Sequence, residues 1–176
     1  MKVAIIPARS GSKRIKNKNI KNFNGLPIIA WVLKEINQSG FFDKIYVDTD
    51  SIEISKIAKK YGASIPFLRP KYLARDNSSL RDTSSYFVKK ILKKNYVKNN
   101  CYICFIYATA FSIKISDLHK SYKEFNKKKP EFLISATKFK YSVRRSFEID
   151  KSNKMKMLFP KMYNKRSQDI KETFHD

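Results

Sequence analysis

The stretch "KVAIIPARSGSKRIKNKNIKNFNGLPIIAWVLKEINQSG", residues 2–40, joins three unlike patterns, and their order decides the fold. Lys2–Ile6 is an apolar run closed by Pro7, as expected of a parallel strand covered on both faces. From Pro27 onward Ile28, Ile29, Val32, Leu33 and Ile36 recur on one helical face, with Gly40 as the stop. Between them residues 7–25 form a connection far longer than the roughly 2–6 residues usual between a strand and a helix. A loop of that length inside a folded unit points either to a function or to disorder.

Farther along, the alternation repeats. Residues 44–50, "KIYVDTD", read as a strand. Asp50, with Glu53 three residues on, is expected to cap a helix carrying Ile54, Ile57, Ala58 and Tyr61 and ended by Gly62. Strands are expected at 65–68, 101–106 and 132–137, and helices at 82–94 and 116–128. Strands alternating with helices specify an α/β layer structure with a mainly parallel sheet, whose ligands sit beyond the carboxyl ends of the strands. After Thr137 the rhythm changes, and "FEI" and "MKMLF" around the polar turn "DKSNK" predict a projecting hairpin. The sequence therefore reads as one domain over residues 1–176, with 138–165 as a hairpin excursion.

The totals narrow the function classes. With 42% hydrophobic and 14% aromatic residues the chain is neither disordered nor membrane-spanning. The first apolar run is too short for a signal-peptide core, which predicts a cytoplasmic protein. Cys101 and Cys104, the only cysteines, lie three apart and so on opposite faces of a strand, as packed free thiols. Two lone histidines, His119 and His175, make no zinc site. The net charge of +23 suggests an anionic partner. Because lysine, asparagine and isoleucine are abundant throughout, the arrangement of charge carries more information than its sum. A nucleic-acid-binding protein is the alternative from another class, although no module of that kind is present.

The loop at 7–25 places Arg9, Lys13, Arg14, Lys16, Lys18 and Lys21 at the carboxyl end of the first strand, without one acidic residue. Gly11, between Ser10 and Ser12, lets backbone amides approach an anion closely. Neither standard phosphate motif fits. The spacing of a Walker loop is absent, and the dinucleotide fingerprint needs three glycines where one is present. A third way to hold a triphosphate remains open, in which backbone amides take one phosphate while Arg and Lys side chains neutralise the others.

Those residues also carry a resemblance. "IIPARSGSKRIKNKN" is similar to the signature of the acylneuraminate cytidylyltransferase family, A-R-x-G-S-K followed after a short gap by K-N; Ala8, Arg9, Gly11, Ser12, Lys13, Lys18 and Asn19 match it. "VDTD", "LRPKYLARD" and "ATKFKYSVRR" follow in the family's order, and "RSQDIKETFHD" resembles its pseudaminic acid branch. The resemblance implies a Rossmann-like three-layer nucleotide-diphospho-sugar transferase fold. It implies transfer of CMP from CTP to the anomeric hydroxyl of a nine-carbon acidic sugar, pseudaminic acid before sialic or legionaminic acid, with pyrophosphate leaving and Mg²⁺ assisting.

In that scheme Arg9 and Lys18 stabilise the triphosphate, with Ala8, Gly11, Ser12 and Lys13 around it, while Asn19 and Arg69 contact the nucleoside. Arg145 and Arg166 face the sugar carboxylate, and Gln168 and Asp169 its polar substituents. The family's magnesium carboxylates fall in a later acidic segment, beyond Asp176, and a homodimer is expected. "YATAFS" departs from the family's Pro-Thr-x-Pro turn, with Ala108 and Phe111 replacing prolines.

Overall fold

In the computed structural model, which describes residues 1–175, strand β1 (Lys2–Pro7) is the centre of a three-stranded sheet. It is followed by the two-residue strands β2 (Asn22–Phe23) and β3 (Leu26–Pro27), helix α1 (Ile28–Gln38), strand β4 (Lys44–Asp48) and helix α2 (Ile52–Lys60). Helix α3 (Leu80–Lys93), strand β5 (Tyr102–Phe105) and helix α4 (Ile115–Lys128) come next. The short strands β6 (Thr137–Lys138), β7 (Phe147–Ile149), β8 (Met155–Met157) and β9 (Phe174–His175) complete the order. Two compact units result, Met1–Lys123 and Glu124–Asp176.

In the first unit β4, β1 and β5 pair in parallel in that order, Ile5 beside Tyr46 and Ala4 beside Cys104. Because side chains alternate across a strand, β1 feeds two cores. Ala4 and Ile6 join Ile45 and Val47 under Ile29, Val32, Leu33 and Ile36 of α1 and Ile54 and Ala58 of α2. Val3 and Ile5 join Tyr46 under Phe87 and Ile91 of α3. This gives helix, sheet and helix layers, each large buried side chain contributing about 1.5–3 kcal/mol of hydrophobic free energy. Cys104 packs in the first core and Cys101 against the second, on opposite faces as the strand period requires.

Three expectations change. Residues 65–68 form no strand; one bridge from Tyr46 to Ser64 is all that extends the sheet there, since Pro66 has no N–H to give a ladder. Asp50 does not cap α2. Ser51, in extended conformation, caps it by accepting a hydrogen bond from Ile54 N at 3.2 Å. Residues 132–136 are likewise not a strand: Phe132, Leu133 and Ile134 are exposed, and only Thr137 pairs, within β6 against β9. The strand expected at 101–106 forms as β5, with Ile103 and Cys104 half-buried against the two cores. Among the described residues it pairs only with β1, and Tyr102 and Phe105 at its ends are exposed.

In the second unit β7 and β8 form the expected hairpin, Phe147 opposite Met157 and Ile149 opposite Met155. Asp150 organises its turn by accepting from the Ser152 hydroxyl at 2.7 Å, Lys154 N at 3.0 Å and Ser152 N at 2.8 Å, and these hydrogen bonds, the hydroxyl first, hold its carboxyl below the usual range. An ion pair between Lys138 and Glu172 lies beside the β6–β9 pairing. Among the described residues no helix is long and apolar enough to cross a membrane.

Candidate nucleotide site

The long loop leaves the carboxyl end of β1, and its first residues are tied to the neighbouring strand. Ala8, fully buried, donates its N–H to the carbonyl of Asp48 at 2.8 Å. Ser10 then gives both its N–H (2.9 Å) and its hydroxyl (2.5 Å) to the carboxylate of Asp50. Around Gly11 the backbone turns back, Ser12 N donating to Ser10 O at 3.0 Å. A Cβ added to Gly11 would meet nothing within 4 Å, so no atom of the chain itself demands glycine there.

Beyond the turn the loop closes on itself. Asn17 adopts left-handed backbone (φ 52°) to start a 3-10 turn at Lys18–Ile20. Asn19 is buried and donates from Nδ2 to the Arg9 carbonyl at 2.9 Å. Of the residues expected at the nucleoside, Asn19 thus also braces the loop. Ile20 packs against the core beneath α1, and Lys18 is exposed.

The side chains of Arg9 and Lys13 converge. Arg9 Nη1 lies 3.0 Å from Oδ1 of Asp76 and Lys13 Nζ 2.7 Å from Oδ2 of the same carboxylate. The neighbouring Lys13, then Arg9, hold the Asp76 carboxyl below its ordinary range. The two cations therefore already share one anionic group.

Arg69 occupies a different position. It is 6% exposed and grips Asp48 through Nε to Oδ1 (3.0 Å) and Nη2 to Oδ2 (2.7 Å), with Nη2 also donating to the Asp48 carbonyl at 3.1 Å. Its own N–H donates to Thr49 O at 2.7 Å. Burial pushes the Asp48 carboxyl above its usual range, Arg69 pulls the other way, and Asp50 adds to the rise. In this conformation the Arg69 guanidinium is committed to the carboxyl end of β4, which also seats Ala8. The loop after β5 adds Ala108, buried, and Phe111, exposed, whose ring lies 4.6 Å from that of Phe23.

In the second unit Arg145 donates to the Lys165 carbonyl at 2.9 Å. Arg166 pairs with Asp169 (Nε to Oδ2 2.9 Å, Nη2 to Oδ1 3.4 Å), and Gln168 is exposed in the same 3-10 turn. His175 packs at a tilt against Phe139, while in the first unit His119 packs edge-on against Phe41.

No group of three or more His, Cys, Asp or Glu among the described residues could hold a metal ion. Asp48, Asp50 and Asp76 are engaged by Arg69, by Ser10, and by Arg9 with Lys13 respectively. These residues do not make a magnesium site. Asp50 and Asp76 end the stretches "VDTD" and "LRPKYLARD", but their partners were not legible there: each acts on a group 40 or more positions away in the chain.

Comparison with known proteins supplies the lineage. The family model described as cytidylyltransferase matches residues 3–175. The pseudaminic acid cytidylyltransferase of Campylobacter jejuni is 37% identical over 174 residues, 99% of this chain and 74% of that protein. A Helicobacter pylori protein named pseudaminic acid cytidylyltransferase and UDP-2,4-diacetamido-2,4,6-trideoxy-beta-L-altropyranose hydrolase is 33% identical over 99% of this chain and 33% of its own length. Among solved structures, CMP:2-keto-3-deoxy-manno-octonic acid synthetase complexed with CTP aligns with a TM-score of 0.58 at 20% identity, covering 72% of this chain, which spans 47% of that one. That likeness bears on the fold, and it agrees with the three-layer α/β arrangement. The match over nearly every residue, with the cationic loop at the carboxyl edge of the sheet, makes this chain a member of the cytidylyltransferase family.

Proposed function

We propose that the chain transfers the cytidylyl group of CTP to the anomeric hydroxyl of a nine-carbon acidic sugar, pseudaminic acid. The carrying observation is the convergence of Arg9 and Lys13 on one carboxylate in a loop whose backbone turns at Gly11. Two cations that share one carboxylate can share a phosphate in the same way. The identity to proteins named pseudaminic acid cytidylyltransferases supports the choice of sugar.

In the reaction the sugar oxygen forms a bond to the α-phosphorus, and the bond from that phosphorus to the bridging oxygen breaks. Pyrophosphate leaves with the electron pair, and the hydroxyl proton passes to solvent. Arg9 and Lys18 stabilise charge building on pyrophosphate, Lys13 and the amides near Ser12 hold phosphate oxygens, and Asn19 keeps the loop closed behind them. Arg69 acts on the nucleoside side, through the seat it makes with Asp48. In the second unit the exposed Arg145 and Arg166 are the proposed contacts for the sugar carboxylate, with Gln168 and Asp169 for its polar groups. The reading extends to a cytoplasmic homodimer, supported by two free thiols and the exposed apolar side chains of the β7–β8 hairpin.

The test is CTP-dependent pyrophosphate release with pseudaminic acid as acceptor. Arg9→Ala is expected to lower it by about two to three orders of magnitude. An unchanged rate removes Arg9 from the mechanism. CTP is also expected to raise Tm more than ATP does, since a ligand bound only to the folded state stabilises it.

A further inference from the structure

The carboxylate of Asp76 stands where the proposed reading needs a phosphate. One oxygen faces Arg9 and the other faces Lys13, at 3.0 and 2.7 Å, as two oxygens of one phosphate would. The segment bearing it is anchored on both sides. Upstream, Arg69 is buried on Asp48; downstream, the Ser79 hydroxyl caps α3 by accepting from Asp82 N at 3.0 Å. Between those anchors the Asp76 side chain is 46% exposed, so it can turn to solvent without disturbing the core. The cations it holds are 34% (Arg9) and 77% (Lys13) exposed, and an incoming anion reaches both.

We propose that Asp76 is the resident counter-anion of this loop: it holds Arg9 and Lys13 converged in the empty protein and yields them to the nucleotide's phosphates. It is a positioning residue that sets nucleotide affinity. Without it the two cations would repel one another and drift, and the loop would order only when ligand arrived. With it, each binding event exchanges an internal ion pair for one with phosphate, which weakens affinity and lowers the number of salt ions released. The inference rests on the phosphate-site reading above.

The experiment titrates inorganic tripolyphosphate into wild type, Asp76→Asn, Asp76→Glu and Arg9→Ala by calorimetry at several salt concentrations. Asp76→Asn keeps the shape and removes the charge. It is expected to bind about two- to tenfold tighter, the scale of exposed ion pairs. Its log affinity should fall more steeply with log salt, by about 1 in slope. Asp76→Glu should restore wild-type values. Should Asp76→Asn not fold, as judged by its thermal transition, Asp76→Ser makes the same comparison. If the charge-removed variant binds equally or more weakly with an unchanged salt slope, while Arg9→Ala abolishes binding, Asp76 is a structural staple only and the inference is overturned alone. If tripolyphosphate binds neither wild type nor variant, the phosphate-site reading falls and takes the inference with it.

Discussion

Replacing Arg69 by Met tests how the carboxyl end of β4 is held. Met keeps the apolar stem and removes the guanidinium from a pair in which both side chains are 4% exposed. Three hydrogen bonds to Asp48 disappear, at 3.0, 2.7 and 3.1 Å, leaving a carboxylate buried without a counter-charge. Breaking one side of such a pair costs about 3–5 kcal/mol. Protonation sets a limit of similar size: neutralising a carboxyl with an unfolded pKa near 3.9 at pH 7 costs about 4 kcal/mol at about 1.4 kcal/mol per unit.

The sign follows from that limit. Burial already raises the Asp48 carboxyl in wild type and Arg69 is what lowers it, so in the variant the folded-state pKa rises further, the variant keeps its proton to higher pH than wild type does, and the deficit grows as pH rises through that range. Urea unfolding of wild type and variant at pH 5 and pH 7 should show a smaller deficit at pH 5, by at most about 3 kcal/mol. A deficit below about 1 kcal/mol, or one equal at both pH values, would refute the account of a buried pair that must remain compensated.

Two further outcomes follow from the first unit. Gly62 closes α2 with φ +84°, and an added Cβ would stand 3.1 Å from the Asn37 amide, itself bonded to Leu33 O at 2.8 Å and Tyr61 O at 2.9 Å; Gly62→Ala should therefore cost about 1–3 kcal/mol in urea unfolding, and a neutral effect would show that the turn relaxes freely. Burial pushes the Cys104 thiol up to about 11, so at pH 8 only about one molecule in a thousand carries the thiolate. Iodoacetamide should label Cys104 slowly in the folded protein and rapidly in urea, read by mass spectrometry, and equal rates would count against the packed position.

Much of the fold is legible in the chain because the signals are local. The apolar run of β1, the helical faces of α1 and α2 and the glycines at 40 and 62 each act within a few residues, through side-chain period and backbone conformation. Where local reading failed, partners from elsewhere decided. Residues 132–136 have the apolar content of a strand but no described neighbour to pair with, and 65–68 carry Pro66 in place of a ladder donor. Asp50 has the chemistry of a cap, yet Ser10, 40 residues earlier, claims its carboxylate while Ser51 caps the helix.

The site divides in the same way. The sequence by itself determined that a glycine-turned, cationic loop follows the first strand, because composition and spacing are properties of the chain. Only the tertiary structure decided which of those charges act together: Arg9 and Lys13 meet at Asp76 and Arg69 is held by Asp48, because ion pairing depends on a few ångströms of separation, which sequence distance does not encode.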